Sequence, residues 1–510
     1  MSKRFDFGGV NLRAGEESAG ARPTSETPFC IAILGDFSGR ANRGVFEPKT
    51  VGERPTHLVD RDNFDEVLSK LRPELHLPTE NKTPLVFRFS ELDDFHPDQL
   101  FENDAFQKLK DIRERLQDPT TFKETAEQLG VFREAPSTKP VNENARVVAP
   151  SPVRLASGSL LDEMIEQTES RIALEPRRRT DEVHDFARQL AAKYAVSAPD
   201  ARQPEVIAAV DRAIGDTMRA ILHHPDFQAL EAIWRATFLL IRKLETGPSL
   251  KIMLIDISKQ ELAADLSGTD DLRDSGVFRL LVEKTVETPG ADPFTIVLGT
   301  FRFGSVGQDF ELLPKLGAIA QRAGAVLLAE GEPALVGCSS LDSAPSPRDW
   351  KGSESQDSWG QVRSRPEAAS LGMVMPRFLL RLPYGSATSP VELFEFEEFS
   401  GQPSHDAYLW GNPAFALVLL LGESFRDAGW EMRPGSPSQL ENLPLHTYRV
   451  DGDSQSKPCA EVLLTEDAVE RILDGGLIPL VSYKGRDSVR VARFQSIADP
   501  QRPLQGRWEA

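Results

Sequence analysis

Leu371-Gly-Met-Val-Met-Pro-Arg-Phe-Leu-Leu-Arg-Leu-Pro-Tyr-Gly385 is the stretch on which the reading of this chain turns. Phe378 to Leu382 sets apolar side chains between Arg377 and Arg381, the pattern of a buried or half-buried strand whose charges need partners. Pro376 and Pro383 bracket the run and keep it short. Downstream come Phe394-Glu-Phe-Glu-Glu398, Leu409-Trp-Gly-Asn412 and Gly429-Trp430. An uncompensated charge in a core costs roughly 3–5 kcal/mol. The expectation is therefore an ion pair between Arg377 or Arg381 and one of Glu395, Glu397 or Glu398.

Working outward, 510 residues suggest about three domains. A hydrophobic content of 40% supports sizeable cores in a chain this long. Lys plus Arg total 59 against 78 Asp plus Glu, a net charge of −19 that argues against a nucleic-acid or anionic-membrane binder. The densest basic run, Arg177-Arg-Arg179, reads as a solvated linker cluster. Cys30, Cys338 and Cys459 are widely spaced, which argues against a disulfide framework and a structural zinc site. Met1 to Arg22 is polar and Gly-rich, unlike a secretory signal. The longest apolar run, Ala414 to Leu421, falls far short of the ~18–20 residues of a spanning helix. These features predict a cytoplasmic protein without membrane insertion.

Residues 1–28 carry glycines and charges that predict disorder. A strand follows from Phe29 to Leu34 and ends at Gly35-Asp-Phe-Ser-Gly39, which lacks the lysine of a phosphate-binding loop. Asp62 or Asn63 is placed to cap a short helix bearing Val67, Leu68 and Leu71. Leu85 to Ser90 alternates as a strand, and Phe106, Leu109, Ile112 and Leu116 make a helical stripe. From 118 to 204 the pattern weakens into a proline-stiffened linker, with helical patches at Leu160–Ile165 and Val183–Tyr194.

Periodicity then returns. Ile207, Val210, Ile214, Met218 and Ile221 line one helix; Phe227, Leu230, Trp234, Phe238 and Ile241 line the next, beyond a corner at His223-His-Pro-Asp226. Adjacent histidines on a helix diverge, so His223 and His224 do not form a metal site. Leu250–Ile257, Phe294–Leu298 and Ala325–Ala329 read as buried strands, separated by helices opening at the capping box Ser258-Lys-Gln-Glu261 and at Asp309. This alternation predicts an α/β fold, with mixed sheets and flanking helices. Ser339 to Ser358 reads as a surface loop. Beyond it come an apolar helix from Ala414 to Phe425, strand-like Leu443–Tyr448 and Lys457–Leu464, and a helix from Thr465 to Gly475-Gly476. Leu477–Val481 and Val489–Phe494 are the last strand candidates.

Motifs for metalloprotease, nucleophile-elbow, P-loop or dinucleotide chemistry are lacking. Glu395, Glu397 and Glu398 are read as ion-pair partners in preference to a cation site, and nothing singles out His446 with Asp451 or Asp453. No catalytic residue, cofactor or metal is assigned.

The ordered series Pro376–Gly385, Phe394–Glu398, Trp410-Gly-Asn412 and Gly429-Trp430 resembles the large subunit of the type VI secretion contractile sheath. So does Ile221-Leu-His-His-Pro-Asp-Phe-Gln-Ala-Leu-Glu-Ala-Ile-Trp-Arg235, and the likeness spans Val206 to Ser496. The positions that carry it are His223, His224, Pro225, Trp234, Arg235, Pro376, Tyr384, Gly385, Trp410, Gly411 and Asn412. Leu34-Gly-Asp-Phe-Ser-Gly39, Val59–Leu68 and Leu92–Leu100 resemble the small sheath subunit, over Phe29 to Leu116. The resemblance thus implies both subunits in one chain: a small-subunit-like part at 29–117, a linker at 118–204 and a large-subunit-like part at 205–510, with paired helices at 206–243 and an α/β core at 250–500. It implies a non-enzymatic protomer that polymerises around an inner tube and contracts to propel it. The implied partners are copies of itself, the inner-tube protein, baseplate components and a disassembling AAA+ ATPase. Large subunits of the family continue beyond the stretch matching Ala492–Ser496, so a C-terminally shortened form is expected. The alternative is a non-polymerising accessory or assembly protein of the same system.

Overall fold

Phe29-Cys-Ile-Ala-Ile-Leu-Gly35 carries no polar side chain, so a strand made from it has no face to offer to water. In the computed structural model it forms β1 (Phe29–Gly35), and each of its residues is buried. The structure describes residues 5–7, 10–12, 23–78, 84–129, 200–269, 271–351, 356–399 and 401–509. The remaining strands of the main sheet are β2 (His57–Val59), β3 (Leu250–Asp256), β4 (Phe294–Phe303), β5 (Val326–Gly331), β6 (Leu371–Met375), β7 (Gln439–Leu440), β8 (Ile478–Ser482) and β9 (Val489–Val491). Among the described residues these nine make one mixed sheet in the order β7-β9-β8-β6-β5-β4-β1-β3-β2.

β1 pairs in parallel with β3 along its whole length, from Phe29 opposite Leu250 to Gly35 opposite Asp256. Its other edge pairs in parallel with β4. The ladder continues in parallel through β5, β6 and β8, and antiparallel strands close both sides. β3 and β4 are consecutive strands of the 205–510 segment, yet they do not pair with each other. A strand from the 29–117 segment lies between them. The parts expected as 29–117 and 205–510 therefore meet inside a single core.

One compact unit comprises Met1–Phe106 and Ile214–Ala510; the other comprises Gln107–Ala213. In the second, Arg113 Nε bonds Asp211 Oδ1 at 2.7 Å, and the Gln203 side-chain amide donates to the Leu116 carbonyl at 2.7 Å. In the first, the core around β1 and β3–β6 takes Leu262 and Leu266 from helix Lys259–Ser267 and Leu312, Leu316 and Ile319 from helix Gly307–Ala323. Helix Ala414–Ala428 packs on β4, β5 and β6 and against helix Pro225–Lys243.

Several expectations shift. The regular strand of the opening stretch is β6, ahead of Pro376. Beyond it Phe378–Leu379 pairs with Trp410–Gly411, and Tyr384 makes an isolated bridge to Ser389. Pro376 offers no donor, and the Arg377 main-chain N–H goes to Glu461 Oε2 at 3.1 Å, which diverts the chain from the ladder. Lys457–Leu464 is not a strand: Pro458 cannot donate, and its one β-bridge among the described residues is Ala460 to Phe378. Leu85–Arg88 pairs antiparallel with Glu74–Leu77. Within the segment read as disordered, Phe5–Phe7 pairs antiparallel with Val10–Leu12. The helical patches at Leu160–Ile165 and Val183–Tyr194 lie outside the described residues. No helix among the described residues is long and apolar enough to cross a membrane.

The two segments also meet main chain to main chain. A Cβ at Gly276 would run into the Gly52 nitrogen and the Val51 side chain. Gly276→Ala is expected to lower stability by about 1–3 kcal/mol, the usual range for an overpacked site. Chemical denaturation reads it directly; an unchanged midpoint contradicts the close approach.

Candidate functional site

His224-Pro-Asp226 opens helix Pro225–Lys243. His224 Nδ1 accepts from the Asp226 N–H at 3.2 Å, and Pro225 takes the first position, where no donor is required. The same three residue types repeat at His96-Pro-Asp98, where His96 Nδ1 accepts from the Asp98 N–H at 3.3 Å. His224 is thus a cap. His223 turns elsewhere, with Nε2 at 3.5 Å from Glu398 Oε1.

The buried stripe of that helix carries Phe227, Leu230 and Trp234, and among them Glu231, which is 0% exposed. A carboxylate so placed requires cations. Arg235 reaches Glu231 from one turn on at 2.6 Å, and Arg381 Nε reaches it at 2.9 Å. Arg381 Nη1 also bonds Glu398 Oε2 at 2.8 Å. Tyr384 closes the group. Its N–H donates to Glu398 Oε2 at 2.7 Å, its hydroxyl accepts from Arg235 Nη2 at 2.9 Å, and its ring lies 4.2 Å from the Arg381 guanidinium. Burial by itself raises the Glu398 carboxyl, but Arg381, His223 and the Tyr384 N–H together outweigh it and bring it down to about 2.

Of the expected acidic partners, then, Glu398 pairs with Arg381. Glu397 accepts from Ser386 N at 2.9 Å and Oγ at 2.6 Å, and fills the space a Cβ at Gly385 would occupy. Glu395 is exposed and makes no ion pair among the described residues. Arg377 pairs instead with Glu461, which His405 Nε2 also approaches at 3.1 Å. Burial raises the Glu461 carboxyl; His405 and Arg377 bring it down to about 2.

Sequence reasoning missed Glu231 and Glu461. Glu231 was findable, because it is the one charge on the Phe227–Leu230–Trp234 face. Glu461 was not, since it lies in an irregular segment whose strand-like alternation gives its side chain no marked place.

A second cluster joins the two segments at the ends of β1 and β3. Glu261, 0% exposed, accepts from Arg40 Nε at 2.9 Å, Arg54 Nη2 at 2.6 Å and the Glu47 N–H at 2.8 Å. Its role in the Ser258 capping box is also formed. Burial opposes its ionisation, but the two guanidiniums hold its carboxyl well below the ordinary range. Asp256 accepts from Ser38 N at 3.1 Å and Oγ at 2.7 Å.

Apolar contacts cross the same boundary. Trp234 packs edge-on to Phe37 and Phe64, with ring centroids at 5.2 and 5.8 Å, and its Nε1 donates to the Phe37 carbonyl at 3.0 Å. The other motif residues make packing and main-chain contacts. Pro376 follows β6, Trp410 Nε1 donates to the His405 carbonyl at 2.9 Å, Gly411 pairs with Phe378, and Asn412 Oδ1 accepts from the Ala414 N–H at 2.9 Å. The arrangement neutralises buried charge and fixes orientation; the Arg381 group is a joint between helix Pro225–Lys243 and the Arg377–Glu398 turns.

Residues 204–498 match the family model described as EvpB/VC_A0108, tail sheath N-terminal domain (VipB). Residues 9–130 match a second model, described as type VI secretion system, VipA, VC_A0107 or Hcp2. The type VI secretion system sheath protein TssC1 of Pseudomonas aeruginosa is 31% identical over 305 residues, 58% of this chain and 61% of that protein. The chain therefore spans less than two-thirds of that relative's length.

Arg381→Ala leaves Glu231 and Glu398 without their shared cation and is expected to cost roughly 3–5 kcal/mol, read as a lowered melting temperature. If the variant melts like the parent, the buried group carries no such role. The pH dependence has a definite sign. Glu398 and Glu461 have folded pKa values below the ordinary 4.5, so the stability they contribute is present above about 4.5 and is lost as pH falls toward about 2. Denaturation midpoints measured from pH 6 down to 2 should fall steeply in that window, and less steeply in Glu398→Gln.

Proposed function

This chain belongs to the VipB tail sheath family, and we propose that it is a structural protomer of a type VI secretion contractile sheath, carrying small- and large-subunit portions in one polypeptide. It polymerises around an inner tube in the cytoplasm and contracts to propel that tube. Its partners are other copies of itself, the inner-tube protein, baseplate components and a AAA+ ATPase that takes the spent polymer apart. It performs no bond chemistry; it works through shape and repeated contact.

The observation that carries this reading is the position of β1 between β3 and β4. Contraction of a tube requires each building block to turn as a unit while contacts between blocks exchange. That demands an internal joint stronger than the contacts that change. A strand hydrogen-bonded on both edges, reinforced by Glu261 with Arg40 and Arg54, supplies such a joint. Carrying both portions in one chain also keeps them one to one and raises their effective concentration.

Negative-stain microscopy of the purified protein, alone and mixed with inner-tube protein, tests the reading. Striated tubes are expected. A uniformly monomeric species under both conditions contradicts it.

A further inference from the structure

The chain leaves β1 toward β2, on one side of the sheet, and leaves β4 toward β5, on the other. Where adjacent parallel strands send their connections in opposite directions, a crevice opens outside their carboxyl ends. Here it measures about 510 Å³, within the ~300–1,000 Å³ span of ligand sites. Leu75, Ile233, Phe301 and Phe415 give it an apolar floor, and Tyr408 and Trp410 stand in its wall.

Its charges do not cancel. Lys259 is bonded to Asp309 at 2.6 Å, Arg302 to Glu330 at 2.8 Å, and Arg377 to Glu461, so each lining cation has an acidic partner. Asp226, whose Oδ2 accepts from Asn42 Nδ2 at 2.8 Å, and Asp406 also line the crevice, and neither has a lysine or arginine in ion-pair range among the described residues. The two segments that carry them are joined across the crevice: Gln228, two residues after Asp226, donates its side-chain amide to the Asp406 main-chain carbonyl at 3.2 Å and lies near that of Ala407. Asn412 lines the same space, and its Nδ2 is buried without an acceptor among the described residues. A buried donor left so costs about 1–3 kcal/mol unless a carbonyl reaches it.

We infer that this crevice is a docking site for an extended segment of a partner polypeptide bearing lysine or arginine, with Asp226 and Asp406 receiving the cationic group and Asn412 Nδ2 donating to a main-chain carbonyl. The apolar floor takes the aliphatic stem and its neighbouring side chains. The net charge of −19 steers a basic partner toward the protein and disfavours a second copy as the occupant. The inference does not depend on assembly into a sheath.

Calorimetric titration with a capped Ala-Leu-Arg-Leu-Lys-Ala peptide at moderate salt tests it, beside the same peptide with glutamates for the basic residues and beside agmatine, a guanidinium without a main chain. The basic peptide is expected to bind. Asp226→Asn with Asp406→Asn should weaken it roughly tenfold, while Asp65→Asn with Glu66→Gln, both exposed and outside the crevice, should not. Thermal melts check that both variants remain folded. The proposal fails if the basic peptide does not bind, if the acidic peptide or agmatine binds as well, or if the two double variants behave alike.

Discussion

Everything in the first compact unit depends on a main-chain ladder made on both edges of β1. Without that strand, β3 and β4 would each present a row of unpaired N–H and C=O groups at the middle of the sheet. The apolar faces of Ile31, Ile33 and Leu34 would also leave holes in the layers above and below. A seven-residue insertion thus turns two halves of a sheet into one, and the order of the strands makes the two sequence segments inseparable within a single fold.

Magnitudes separate what holds this fold from what aims it. Burying Phe29, Cys30, Ile31, Ile33 and Leu34 is worth on the order of 10 kcal/mol at about 1.5–3 kcal/mol for each large side chain. The buried charge groups around Glu231 and Glu261 are close to neutral in net stability, because desolvation offsets most of their attraction. Their consequence is geometric. Glu231 accepts only an arrangement that brings Arg235 and Arg381 to it together, and Glu261 only one that brings in Arg40 and Arg54. Apolar burial supplies stability; the Glu261 group selects one docking of the segments among many that would bury similar area, and the Glu231 group fixes helix Pro225–Lys243 against the Arg377–Glu398 turns.

Much of this was legible in the residues. The largely apolar runs at 29–34, 250–257 and 294–298 marked strands, though not their direction, and the Ser258 box and Thr465 marked helix starts, because those signals are local. That a charge inside the apolar run needs an acidic partner was legible; which of Arg377 and Arg381 would meet which of Glu395, Glu397 and Glu398 was not. Partners distant in sequence were not: nothing near Arg377 points to Glu461, and nothing near Arg40 points to Glu261. Strand order was hidden for the same reason. The pattern of β1 shows that both faces are covered but not which strands flank it, and β3 and β4, consecutive in sequence, gave no hint of a visitor between them. At 377–382, two prolines and a side chain competing for a main-chain N–H outweighed the strand-like alternation.

The most direct test of the shared sheet is to produce residues 1–130 and 200–510 as two chains, separately and together, and to follow their unfolding by circular dichroism. The account predicts that 200–510 alone shows no cooperative melt and that co-production yields a complex with a single cooperative transition. A 200–510 fragment that melts alone like the intact protein would contradict it.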